Sequence, residues 1–175
     1  IEQAKQKNVD LVIFAEQALS GTPAFDLLRK TTFLELCDEA LDEIASYCNG
    51  ITAVVGAPVL MQNGTQSAAV VIENGKIKRY ITKANITARR EMGYIVGSSL
   101  GHQNITIKDK ALKVIVGDDL SRMEDLEEDV DVIISVNARR YGKGILTRRF
   151  DKISRLAFTE GRTIVMINQV GGAGD

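Results

Sequence analysis

Val9-Asp10-Leu11-Val12-Ile13-Phe14-Ala15-Glu16 carries an almost unbroken apolar run into a carboxylate. A short apolar run without polar alternation suits a strand buried on both faces. Similar runs recur at residues 51–57 (ITAVVGA), 112–116 (LKVIV), 130–136 (VDVIISV) and 163–168 (TIVMIN). Residues 67–72 and 76–82 flank Glu73-Asn74-Gly75, and Asn-Gly between two apolar runs predicts a hairpin. Helical spacing fills the gaps. Thr32 and Glu35 form a capping-box pattern ahead of Phe33, Leu36, Cys37, Ala40, Leu41, Ile44, Tyr47 and Cys48, and Asn49-Gly50 closes that helix. Ile1 to Lys7 reads as the last turns of another helix, and residues 119–128 as a short acidic one. After the polar loop 137–144, Leu146, Phe150, Ile153, Leu156 and Ala157 mark a helix that stops at Gly161. Strands alternating with helices, plus one hairpin, predict an α/β layered fold with a mixed sheet.

Composition narrows the function. A chain of 175 residues with 45% hydrophobic residues can bury a domain-sized core. Lys+Arg 22 against Asp+Glu 23, a net charge of -1, excludes a generally basic nucleic-acid binder. Two cysteines exclude a multi-bridge disulfide scaffold and a four-cysteine zinc site, and the single His102 argues against a histidine metal cage or a Ser-His-Asp triad. No apolar run approaches the roughly 18 residues of a membrane span, and no secretory leader is evident, so a cytoplasmic protein without membrane or nucleic-acid partners is expected. The start at Ile1 and the stop in Gly171-Gly172-Ala173-Gly174-Asp175 suggest a piece of a larger protein.

Individual polar groups have ordinary readings. The closing glycines do not keep the GxGxxG spacing of a phosphate loop. Asp118-Asp119 could hold Mg²⁺, but an N-cap with a first-turn acid is the commoner use. Arg139-Arg140 and Arg148-Arg149 could bind phosphate, although such pairs are usually solvated or salt-bridged. Cys37 and Cys48 read as inert core thiols on one helix face, and His102 as a loop residue.

Taken in order, several segments say more. Residues 9–16 are followed by Ala18-Leu19-Ser20-Gly21-Thr22-Pro23 and Asp26-Leu27-Leu28. Val55-Gly56-Ala57-Pro58, Ser67-Ala68-Ala69-Val70-Val71-Ile72 with Asn74-Gly75-Lys76-Ile77, Tyr80-Ile81-Thr82-Lys83, Asp119-Leu120 and Asn168-Gln169-Val170-Gly171-Gly172 come next. This series resembles the "DLVVFPEL…LTGYP…DLL", "VGxP", "NAAxVIxxGKI", lysine, "CEDLW" and "NxVGGQ" segments of the nitrilase (carbon–nitrogen hydrolase) superfamily. It looks most like the glutaminase domain of glutamine-dependent NAD synthetases, over almost the whole chain.

The resemblance implies a four-layer α-β-β-α sandwich, incompletely covered at both ends, with residues 1–175 a single partial domain and the synthetase domain outside the chain. It also implies a homo-oligomer, with the helix at residues 32–48 one candidate surface. In the family a Cys thiolate attacks the carboxamide of glutamine, a Glu accepts the thiol proton, and a Lys stabilises the oxyanion. Glu16 matches the base and Lys83 the oxyanion lysine. The nucleophile position is Gly117. Tyr94, Asp118 and Arg139 fall at substrate-binding positions, but Glu91 is offset from the family acid, and Arg139 or Arg140 replaces a small serine. No metal or cofactor is expected in this domain; ATP and Mg²⁺ are implied only for the missing synthetase domain. The leading expectation is therefore a glutaminase domain that supplies ammonia for amidation of deamido-NAD, impaired in this copy. The alternatives are another nitrilase-superfamily amidase acting on a related amide, and a non-catalytic structural or interaction domain.

Overall fold

The computed structural model describes residues 1–87, 91–98, 101, 103–117, 119–122 and 130–170. A short helix α1 (Glu2–Gln6) leads into β1 (Leu11–Ile13), a 3-10 turn at Phe25–Arg29, and helix α2 (Thr31–Ser46). Three strands follow, β2 (Thr52–Met61), β3 (Gly64–Glu73) and β4 (Lys76–Thr82). The second part carries β5 (Gln103–Ile107), β6 (Lys110–Val116), a 3-10 turn at Asp119–Arg122, β7 (Val132–Val136), α3 (Ile145–Glu160) and β8 (Thr163–Ile167).

The strands form two four-stranded sheets, each mixed, where the residues alone predicted one, in the orders β1-β2-β3-β4 and β5-β6-β7-β8. In the first, β1 runs parallel to β2 and the remaining pairs are antiparallel. In the second, β5 and β6 are antiparallel and β6, β7 and β8 are parallel. The side-chain period of two then assigns each strand residue to a layer. Ala53, Val55, Ala57, Val59, Val70 and Ile72 meet Leu41 and Ala45 of α2. Val54, Ala69, Val71 and Ile81 face the other way, onto Leu112, Val114, Val116, Ile134 and Val136 of the second sheet. The outer face of that sheet packs Ile115 and Ile133 against Ile153 and Leu156 of α3. Helix, sheet, sheet and helix form the four layers, with the main core between the sheets.

Local signals were partly right. The Asn74-Gly75 hairpin forms between β3 and β4. Helix α2 starts at Thr31 with Lys30 as N-cap and no side-chain capping bond, so the Thr32/Glu35 box is not used. Its inward stripe is Leu34, Cys37, Leu41 and Ala45, while Leu36 and Tyr47 point outward. Strand β5 and the turns joining β2 to β3 and β5 to β6 had no expectation; Asn63-Gly64 follows the apolar Val59-Leu60-Met61 but precedes the polar Thr65-Gln66, and Asp109 lies between two lysines. Helix α3 ends at Gly161 as expected, but it has no buried residue, and Leu146, Phe150 and Phe158 are exposed. The described part of the acidic segment 119–128 is the 3-10 turn. His102, Asp118 and the closing glycines lie outside the described residues.

Candidate active site

The ends of four strands converge on one buried charge cluster. Glu16 follows β1. Its backbone is pressed against β2 at Gly56, where a β-carbon would lie 2.0 Å from the Ala15 carbonyl oxygen and 2.7 Å from Glu16 Cα. Any side chain at Gly56 would therefore push the Glu16 loop off the sheet. The loop is also tied to the second sheet: the Glu16 amide donates to Asn137 O at 3.2 Å, and Gln169 Nε2 donates to Glu16 O at 3.0 Å. The Glu16 carboxylate is 2% exposed. Its Oε1 accepts from Ser67 Oγ at 3.0 Å and from Lys83 Nζ at 3.0 Å, and its Oε2 accepts from the Ala138 amide at 3.2 Å.

Lys83 lies just beyond β4, where its amide donates to Ser67 O at 2.9 Å and its carbonyl accepts from the Ser98 amide at 3.0 Å. Its ammonium is buried and also donates to Glu91 Oε1 at 3.1 Å and Oε2 at 2.9 Å. All three ammonium protons thus have carboxylate acceptors. Burial alone pulls the lysine pKa down, but the charges and hydrogen bonds of Glu16 and Glu91 outweigh it, so the value is raised and the ammonium form is secured. Glu91, offset in sequence, is brought into the cluster by the turn that follows it, where the Tyr94 and Ile95 amides donate to its carbonyl.

Gly117 is the first residue past β6, with φ +68, a conformation that suits glycine. Its amide donates to Val136 O at 2.8 Å, which fixes the strand tip against β7. A β-carbon at this position would stand 2.4 Å from Lys83 Cε and 2.8 Å from Lys83 Nζ. A side chain at this position, where a nucleophile is expected from the resemblance, would therefore point straight at the lysine, whose tail fills that space. Asp119, two residues on, ties down a neighbouring loop. Its carboxylate accepts from the Ala84 amide at 2.8 Å, the Asn85 amide at 3.1 Å and Asn85 Nδ2 at 2.9 Å, clamping the loop after Lys83. No group of three or more His, Cys, Asp or Glu able to hold a metal occurs among the described residues.

Of the other expected residues, Arg139 borders the cluster and Tyr94 does not. Arg139 follows β7, its amide donating to Asn168 Oδ1 at 2.7 Å. Burial and the neighbouring Arg149 charge lower its guanidinium to about 10, with Glu16 opposing the shift. Tyr94 packs edge-on to Phe25 and lies under the Arg29 guanidinium, 4.7 Å from ring centroid to Cζ. Arg29 also donates to Gly93 O at 2.8 Å, so this corner braces the turn that carries Glu91. Cys37 and Cys48 are buried with α2, and burial is the main reason both thiols are raised above their ordinary pKa, which leaves little thiolate.

Ser67, Glu91 as a cluster member, Asp119 as a clamp and Gln169 were not foreseen. Ser67 did carry a signal, a single hydroxyl opening the apolar run Ala68–Ile72. The contacts of Asp119 and Gln169 depend on loop paths that the sequence does not show. The space beside Gly117, bounded by Ser135, Asn137, Arg139 and Arg149, amounts to about 30 Å³. A larger apolar groove of about 500 Å³, lined by Phe14, Leu19, Ile44 and Tyr47, lies on the α2 side and brings no catalytic groups together.

No protein-family model matches the chain. Among curated proteins it is 32% identical to the glutamine-dependent NAD(+) synthetase of Xanthomonas campestris, over 93% of this chain and 31% of that protein. It is 31% identical to the enzyme of the same name from Xylella fastidiosa, over 98% of this chain and 33% of that one. The chain thus spans about a third of these relatives. Among solved structures, glutamine-dependent NAD+ synthetase from Acinetobacter baumannii superposes with TM-score 0.88 at 26% identity, covering 98% of this chain and 34% of that one. A mutant of the Nesterenkonia AN1 amidase from the nitrilase superfamily superposes with TM-score 0.81, covering 98% of this chain and 68% of that one, and at 15% identity it speaks for the fold alone. The chain's two face-to-face sheets and flanking helices have the fold of the nitrilase superfamily. Within that class it matches the amidase domain of glutamine-dependent NAD synthetases.

Proposed function

We propose that this chain is the glutaminase-type domain of a glutamine-dependent NAD synthetase whose covalent step has been lost. The observation that carries the reading is Gly117 itself. It stands at the tip of β6, within contact distance of Lys83, where the mechanism requires a thiolate. Glu16 and Lys83 hold the positions of the general base and the oxyanion stabiliser. A carboxylate at Glu16 could accept a proton and an ammonium at Lys83 could stabilise an oxyanion, but neither can form the acyl intermediate. Lys83 would also have to release Glu16 or Glu91 to reach an oxyanion.

On this reading the domain is a folded module attached to a synthetase domain, and the synthetase takes ammonia from another source. The exposed apolar side chains of α3, Leu146, Phe150 and Phe158, support a homo-oligomer. The test is ammonia release from glutamine, with other amides in parallel. No release above the protein-free rate is expected from glutamine. Turnover of a different amide would favour the alternative amidase. Turnover of glutamine that Glu16→Gln abolishes would defeat the proposal.

A further inference from the structure

The cationic groups beside Gly117 are not explained by an amidase site, impaired or intact. Arg139 comes from the loop after β7. Arg149 and Lys152 come from one face of α3, three residues apart, where helical geometry brings side chains together. All three border the space of about 30 Å³ whose floor is Gly117, Ser135 and Asn137. Among the described residues the acid that acts on Arg139 is Glu16, and it is already committed to Ser67, Lys83 and the Ala138 amide. Arg139 and Lys152 have further partners of their own. Arg149 has no hydrogen bond or ion pair among the described residues, and its guanidinium is partly desolvated. Two arginines thus border one small space whose lining also includes the apolar Leu120, Ile153 and Met166, and among the described residues no carboxylate lines it.

We propose that the space between Arg139 and Arg149, over Gly117, is a binding site for a carboxylate group. A guanidinium presents paired N–H donors in one plane, and a carboxylate is the flat anion that matches this fork. The space admits a head group of that size and leaves the rest of the ligand to project past α3. Arg139 is lowered first by burial and then by the like charge of Arg149, and the bound anion would relieve that repulsion. This site is independent of whether the cluster once hydrolysed glutamine, so its failure would leave the ammonia result untouched.

Thermal-midpoint titrations at constant ionic strength test it, using formate, N-acetylglycine, N-acetylglycinamide, chloride and inorganic phosphate. Formate and N-acetylglycine should raise the midpoint saturably; the amide and chloride should not. Arg149→Gln should weaken formate binding by about tenfold or more, the worth of a charge-assisted pair. Arg148→Gln, one residue along the same helix and off the cavity, should leave binding unchanged, and circular dichroism should show both variants folded. Equal responses to chloride and formate, tighter binding of phosphate than of formate, or unchanged formate binding in folded Arg149→Gln would each overturn the proposal.

Discussion

Glu16 and Lys83 leave the ends of β1 and β4 in one sheet, while Gly117 and Arg139 leave the ends of β6 and β7 in the other. The first pair is closed and satisfied. Its charges are buried, and each carboxylate or ammonium group meets partners at 2.9–3.2 Å. The second pair offers a bare strand tip and an arginine close to a second one, Arg149. The two sheets meet in one core, so a single fold supports both halves, yet only the first keeps groups suited to amide chemistry. A buried ionic cluster is costly to dismantle one residue at a time, because removing one member strands the others in a dry interior. A nucleophile has no such protection, since replacing it by glycine leaves nothing unpaired. On the proposed reading, that asymmetry would let an amidase site lose its reaction and keep its acid, base and shape.

The largest expected effect comes from breaking the closed half. Lys83→Met would leave Glu16 and Glu91 buried without their cation and should cost about 3–5 kcal/mol, measured by urea unfolding. The alkaline side gives a further signature. Because the folded-state pKa of Lys83 is raised, its stabilising contribution is complete below its unfolded value and is lost as pH climbs through the folded value above it. The unmodified protein should therefore lose stability in that alkaline window by an increment that Lys83→Met does not show. Ser67→Ala, which removes a donor to buried Glu16, should cost about 1.5–3 kcal/mol. On the open half, Asn168→Ala removes two more exposed bonds to the Arg139 backbone and should cost only about 1 kcal/mol. Equal losses for Ser67→Ala and Asn168→Ala would erase the contrast between the halves.

What could be read in advance follows the same division. The strands were legible because burial on both faces forces unbroken apolar runs such as residues 51–57 and 67–72. The hairpin was legible because its turn needs Asn74-Gly75. Glu16 and Lys83 were legible only through the order of segments around them, since a lone Glu and a lone Lys are normally solvated. Glu91 was misjudged, because counting along the chain does not show how the turn at Gly93, held by Arg29, swings it inward. Strand β5 was missed, since Gln103–Ile107 is an edge strand whose mixed polarity hides its pairing with β6. The division into two sheets was invisible to periodicity, which specifies what each face of a strand wants and not which sheet supplies it.

The central claim is that this is an amidase-type centre in register but without its nucleophile. Restoring the thiol by Gly117→Cys tests it most directly. A cysteine there would have to adopt a left-handed φ near +68 and displace the Lys83 tail, whose Cε lies 2.4 Å from the new β-carbon; its sulfur would then sit beside the ammonium, which favours thiolate. Alkylation by iodoacetamide, itself a small carboxamide, followed by intact mass and peptide mapping, should label position 117 at least about tenfold faster than Cys37 or Cys48, and Glu16→Gln should slow that labelling. A cysteine at 117 that reacts no faster than the two buried thiols, in a protein that remains folded, would contradict the account.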